Sequence, residues 1–79
     1  MTSQEILSIV RDVVGRHLIP VNAELCGVAN GNAIIDLSSG VTLIDFNEIA
    51  RRVEDEFVYV TSPYKSGDAL SLFITCTDV

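Results

Sequence analysis

Apolar residues follow two rhythms along this chain. Ile6, Leu7, Ile9, Val10, Val13, Val14 and Leu18 recur at steps of three and four, while Glu5, Ser8, Arg11, Asp12 and Arg16 lie mostly elsewhere around the same cylinder. That spacing predicts an amphipathic helix with one broad apolar face. Thr2-Ser3-Gln4-Glu5 has the spacing of a capping box, and Pro20 forbids continuation of the helix. The same stripe returns in Phe46, Ile49, Ala50, Val53 and Phe57. Here Asp45-Phe46-Asn47-Glu48 reads as the capping box, with Ile44 placed to pack on Ile49 as a hydrophobic staple.

After each helix the period drops to two, and each alternating stretch carries a glycine between small polar residues, Asn30-Gly31-Asn32-Ala33 first and Ser66-Gly67-Asp68-Ala69 second. These are hairpin tips. A three-residue loop from Asn30 to Asn32 opposes Ala29 to Ala33, Gly27 to Ile35 and Leu25 to Leu37 on an inner face. The outer face then carries Glu24, Cys26, Val28, Ile34, Asp36 and Ser38. The same rule around Gly67 pairs Tyr64 with Leu70, Val60 with Ile74 and Val58 with Cys76 inside, leaving Tyr59, Thr61, Phe73 and Thr75 outside. Pro63 marks its strand as an edge. Ser38-Ser39-Gly40 reads as a turn, and Val41 to Ile44 as a short extra strand.

Two αββ units in succession predict an α+β fold, an antiparallel four- to five-stranded sheet with both helices on one face. In outline this two-layer sandwich is a circular permutation of the βαββαβ order, and so related to the ferredoxin-like arrangement. The reading treats 1–79 as a single α+β domain made of two half-repeats, 1–40 and 41–79. From helix cap to hairpin glycine the first half is longer by about two helical turns, which keeps the buried face in register.

Composition restricts the function classes. A chain of 79 residues buries only about 60% of the surface its unfolded form exposes, which leaves little for an elaborate internal pocket or a deep cofactor site. Eleven acidic residues against five basic give a net charge of −6, which repels nucleic acid and anionic membrane and favours partners with basic surfaces. The stretch Met1 to Val10 lacks the basic region of a signal peptide, and no apolar run reaches the ~20 residues of a membrane helix. Cys26 and Cys76 make neither a disulfide framework nor a Cys-x-x-Cys motif, so the expected compartment is the reducing cytoplasm.

Candidate chemistry is sparse. Cys26 and His17 are the conceivable nucleophile and base, but the expected register sets Asp36 opposite Cys26, and a carboxylate there disfavours the thiolate. His17 is expected in the last turn of the first helix, where it complements the helix dipole. Arg51 is spaced to pair with Asp55, and Arg52 with Glu56 or Glu48, which reads as a solvated helix face; the functional alternative is that Glu54, Asp55 and Glu56 form part of a phosphate-like acidic surface. The scattered Cys, His and carboxylates fit neither a zinc nor a calcium site, and the dispersed glycines fit no phosphate-binding loop. Tyr59 and Phe73 on a four-stranded sheet suggest a base-stacking platform, but the basic surroundings are missing. With Val28 and Ile34 they form instead an apolar patch of the kind that marks association.

The segment Ile34-Ile35-Asp36-Leu37-Ser38-Ser39-Gly40-Val41-Thr42-Leu43-Ile44-Asp45 is similar to the strand-to-helix signature of STAS domains, the anti-sigma-factor antagonists. That family places a phosphorylatable serine after the aspartate, where this chain has Phe46 and Asn47, so the phosphoswitch is not implied. In size and acidity the chain also resembles phage-encoded inhibitors of host defence, including anti-CRISPR and anti-restriction proteins. The expectation is therefore a non-enzymatic protein-binding module, without cofactor or metal, that occupies a basic surface of a macromolecular partner and engages neither nucleic acid nor membrane directly. Its interaction residues are expected among Tyr59, Phe73, Val28, Ile34, Glu24, Asp36, Glu54, Asp55 and Glu56. The alternative is a homo-oligomeric small-ligand-binding or regulatory module, such as a homodimer.

Overall fold

The computed structural model describes residues 1–55 and 70–78 in full, and the backbone of residues 58–61. Helix α1 spans Ser3–Val14 and is followed by strands β1 (Ala23–Ala29) and β2 (Asn32–Leu37); helix α2 spans Leu43–Val53 and is followed by β3 (Val58–Thr61) and β4 (Leu70–Thr75). The fold is α+β, two helices on an antiparallel sheet. Strands β1, β2 and β4 bring the core face of that sheet together, and β3 lies along the free edge of β4, for the order β1-β2-β4-β3. Ile6, Val10 and Val14 of α1 and Ile49 of α2 are fully buried in one cluster with Ala33, Ile35, Leu72 and Ile74 of the strands. Both helices therefore cover the same face of the sheet.

Two helix boundaries differ from the sequence reading. α1 ends at Val14, with Gly15 as its C-cap, so His17 and Leu18 fall in the following bend and Leu18 is fully exposed instead of completing the apolar stripe. α2 begins three residues earlier than expected: Thr42 is its N-cap and Asp45 its third residue, so the anticipated strand from Val41 to Ile44 does not form. With the helix started there, Ile44 points out at 79% exposure and staples nothing, while Ile49 is in the core and Phe46 packs beside it.

The first hairpin turns on two residues, Asn30 and Gly31, both at positive φ (53° and 76°), with Ala29 opposite Asn32. Positive φ at both central positions is what an Asn-Gly turn supplies. A bulge between Leu25 and Gly27 absorbs the shift, so Leu25 returns opposite Ile35 and Ala23 opposite Leu37. Parity is preserved below the bulge and inverted above it. Val28 consequently stands opposite buried Ala33 and packs against the core, not on the outer face.

The second pairing is also shifted. Val58 stands opposite Phe73, Tyr59 opposite Leu72 and Val60 opposite Ser71, instead of Val60 with Ile74 and Val58 with Cys76. The tip expected at Ser66 to Ala69, and Pro63, Tyr64, Glu56 and Phe57, lie outside the described residues.

Candidate functional site

The face of the sheet turned from the helices is built by strand alternation. Ile34 and Phe73 are direct cross-strand partners, both half-buried. Glu24 and Asp36 are partners on the same side of β1 and β2, two acids opposite one another. Ser71, opposite Asp36 on β4, donates its hydroxyl to Asp36 Oδ1 at 2.7 Å. An apolar pair beside two acids thus occupies this face. Four of the expected interaction residues, Ile34, Phe73, Glu24 and Asp36, come together there. Val28 does not, and the register places Val58 opposite Phe73 and Tyr59 opposite the core residue Leu72, so the expected outer-face position of Tyr59 is not the one the strand pairing gives; the Tyr59 side chain lies outside the described residues. Cys26 is exposed at the bulge, and the residue opposite Asp36 is Glu24, not Cys26.

The acidic end of α2 is organised differently from its sequence reading. Arg51 turns back to Glu48, with Nη2 2.6 Å from Oε1 and Nε 3.2 Å from Oε2, instead of pairing with Asp55. Arg52 reaches across to α1, where its Nη1 is 2.5 Å from Oδ2 of Asp12, which also accepts from Arg16 at 3.1 Å. These arginines hold the Asp12 and Glu48 carboxyls below the ordinary acidic range. Glu54 closes the helix in the left-handed conformation (φ 56°), and the Asp55 N–H donates to the carbonyl of Ala50. Glu54 and Asp55 therefore sit at a helix terminus; Glu56 lies outside the described residues.

Sequence reasoning missed a third region, at the other end of α2. Asp45 is 8% exposed and its Oδ2 accepts from the Thr42 backbone N–H at 2.8 Å, while His17 Nε2 lies 2.7 Å from the same oxygen. The Asp45 N–H donates in turn to Thr42 Oγ1, completing the box. Burial pushes the Asp45 carboxyl up, but the Thr42 and His17 hydrogen bonds outweigh it and leave it below its ordinary value. His17 thus ties the α1–β1 bend to the start of α2, not to the carbonyls of α1. On the two segments so joined stand Leu18 and Ile19, 103% and 86% exposed, and Leu43 and Ile44, 69% and 79% exposed. A shallow cavity beside them is lined by Val13, Arg16, His17, Ile44, Asp45 and Glu48. Leu18-Ile19-Pro20 was the available signal, an apolar pair between a glycine-ended helix and a proline.

A fourth tie joins the chain ends. Asp78 accepts the Ser3 N–H at 2.7 Å and the Ser3 hydroxyl, and these hydrogen bonds outweigh the opposing effect of burial and leave its carboxyl below the ordinary value. Burial and the nearby Asp78 push the Cys76 thiol up, which suits packing and not nucleophilic chemistry. Among the described residues no group of His, Cys, Asp and Glu is placed to hold a metal ion, and no helix is long and apolar enough to cross a membrane. No protein-family model, curated protein or solved structure matches this chain.

Proposed function

We propose that this protein is a small non-enzymatic binding module whose helix-free sheet face seats a basic surface of a larger protein. The observation that carries the reading is the juxtaposition of the Ile34 and Phe73 pair with the opposed acids Glu24 and Asp36 on that face. The apolar pair supplies area that a partner can desolvate, and the acids select the sign of the partner's charge. A net charge of −6 adds long-range attraction to a basic groove. An inhibitor of a host nucleic-acid enzyme, of the phage anti-defence type, is the concrete version that size and charge favour, with Glu54, Asp55 and Glu56 extending the acidic surface. The permuted βαββαβ relationship belongs to the same reading, since the strand order β1-β2-β4-β3 follows from moving the first strand of that topology to its end.

The alternative, a homo-oligomer formed by pairing these sheet faces, meets an obstacle in Glu24 and Asp36. A face bearing two opposed acids, laid on its own copy, brings like charges together. The test is capture of a partner from host lysate, followed by titration of that partner with wild type, Ile34→Ser/Phe73→Ser and Glu24→Lys at low and high salt. Binding that weakens with salt and with both variants supports the reading. A salt-independent affinity unchanged by either variant overturns it.

A further inference from the structure

From the region around His17 and Asp45 we infer a second and separate interface, at which two copies of this chain associate through Leu18, Ile19, Leu43 and Ile44. Large aliphatic residues exposed by more than two-thirds are an unfavourable surface for a lone small protein, and here all four stand on two segments locked together by one hydrogen-bonded pair. At on the order of 100 Å² of apolar area per Leu or Ile side chain, they present roughly 400 Å². That is about half of the ~800 Å² each partner contributes to a standard interface, and apolar residues of this kind make its centre while polar neighbours make the rim.

The patch is also preorganised. Asp45 is buried and holds both Thr42 and His17, so the bend carrying Leu18 and Ile19 is fixed against the helix start carrying Leu43 and Ile44. An interface already ordered before contact loses less conformational entropy on binding.

Charge selects the occupant. Each copy bears −6, so self-association is least opposed where charges of both signs lie at the surface. The cavity beside the patch is such a place, being lined by Arg16 and His17 as well as Glu48, with Asp45 already engaged. In a two-fold contact the same patch meets itself, and the exposed Arg16, held by Asp12 in its own copy, and Glu48, held by Arg51, can exchange partners across the axis. A basic partner protein has its complement on the sheet face instead, and an anionic membrane is repelled by the net charge. A dimer joined here leaves both sheet faces free, so it presents two copies of the proposed binding face. This inference does not depend on that face binding anything.

The experiment is sedimentation equilibrium of the full chain from about 1 μM to about 1 mM, the range over which an interface of this size associates. Wild type is expected to rise from 8.6 kDa toward twice that mass. Leu18→Ser/Ile44→Ser is expected to raise the dissociation constant about a hundredfold, since it removes two central side chains from each copy. Phe73→Ser should leave association unchanged. Melting curves at the lowest concentration confirm that the variants are folded; where the double variant is not, Ile19→Ser and Leu43→Ser singly give the same reading. A wild type that stays at 8.6 kDa throughout overturns the proposal, as does a dimer lost with Phe73→Ser and kept in Leu18→Ser/Ile44→Ser. Flotation of the wild type, but not the double variant, with phosphatidylcholine vesicles in the absence of a dimer assigns the patch to lipid and also overturns it.

Discussion

Both helices of this protein start on a threonine box, yet they recruit opposite kinds of outside help. In α1, Thr2 Oγ1 accepts from Glu5 N at 3.2 Å and Glu5 Oε1 accepts from Thr2 N at 3.1 Å, with both residues exposed. A carboxylate from the far end of the chain, Asp78, then accepts the next free N–H, that of Ser3. In α2 the box carboxylate is a shorter Asp45, buried, and the distant residue is a histidine bonded to that carboxylate instead of to a backbone N–H. An exposed box satisfies its own helix, whereas a buried one must also satisfy the capping group. The two starts are chemically alike, but the second also holds a loop in place.

The difference predicts unequal costs. Asp45→Ala removes the box and leaves the Thr42 N–H and the His17 ring without their acceptor, for about 2 kcal/mol in all. A domain of this size should then melt roughly 8–16 °C lower. A calorimetric scan overlapping that of wild type would show that the buried box contributes nothing.

His17→Ala should cost less, about 1 kcal/mol, because the box itself survives. Placed in the Asp45→Ala background it should add little further loss, and a thermal double-mutant cycle reads this directly. Fully additive losses would mean that His17 and Asp45 act separately. Asp78→Ala should lower the melting temperature by less than Asp45→Ala, since Thr2 and Glu5 continue to cap α1 without it; a larger drop would reverse the ranking of the two starts.

The smallest effect is on pH dependence. The Asp45 and Asp78 carboxyls sit below their ordinary value of 3.8 and Glu5 below 4.5. The folded state therefore takes up protons less readily than the unfolded one. The stabilisation from these groups is present above the unfolded values and drains away as pH falls through the lower folded ones. Urea midpoints measured from about pH 5 down to about pH 2 should fall for wild type and fall less steeply for Asp45→Asn/Asp78→Asn. Parallel curves would mean that neither carboxylate is linked to folding.

How far the sequence could be read depended on whether its signals were local. The α1 box, the helical core positions Ile6, Leu7, Val10, Val13, Val14, Ile49 and Val53, and the inner positions of β2 follow from short-range spacing and stand as expected. Two errors came from choosing between local signals that compete. Thr42 and Asp45 both fit a cap, and Asp45 with Glu48 satisfied the pattern as well as Thr42 with Asp45 did. The choice was made by burial and by His17, a residue 28 positions away. At the first tip, Asn30-Gly31 is the stronger two-residue turn signal, and a longer loop hid it because Leu25, Ile35 and Leu37 fell on the inner face either way. Val28 and Ala29, above the bulge, register the error in which face they take, and the partners of Leu25 and Asp36 shift with it. Alternation places Glu24, Ile34, Asp36 and Phe73 on the outer face but misplaces Val28 and Tyr59, which the bulge and the β3 register move; the exposed aliphatic region was not legible, because Leu18 and Ile44 continue the helical patterns and read as interior.

The contact between the chain ends also bears on local opening. Terminal amides normally exchange with solvent fastest, since ends fray at almost no cost. Here the Ser3 N–H is held by Asp78, and the Thr77 N–H donates to the carbonyl of Met1 at 2.8 Å. Neither end can loosen without releasing the other, so these two amides should exchange as a coupled pair, with a shared protection factor well above that of a free terminus. The Cys76 N–H, bonded to the Gly31 carbonyl at 2.9 Å, carries that coupling on to the first hairpin turn.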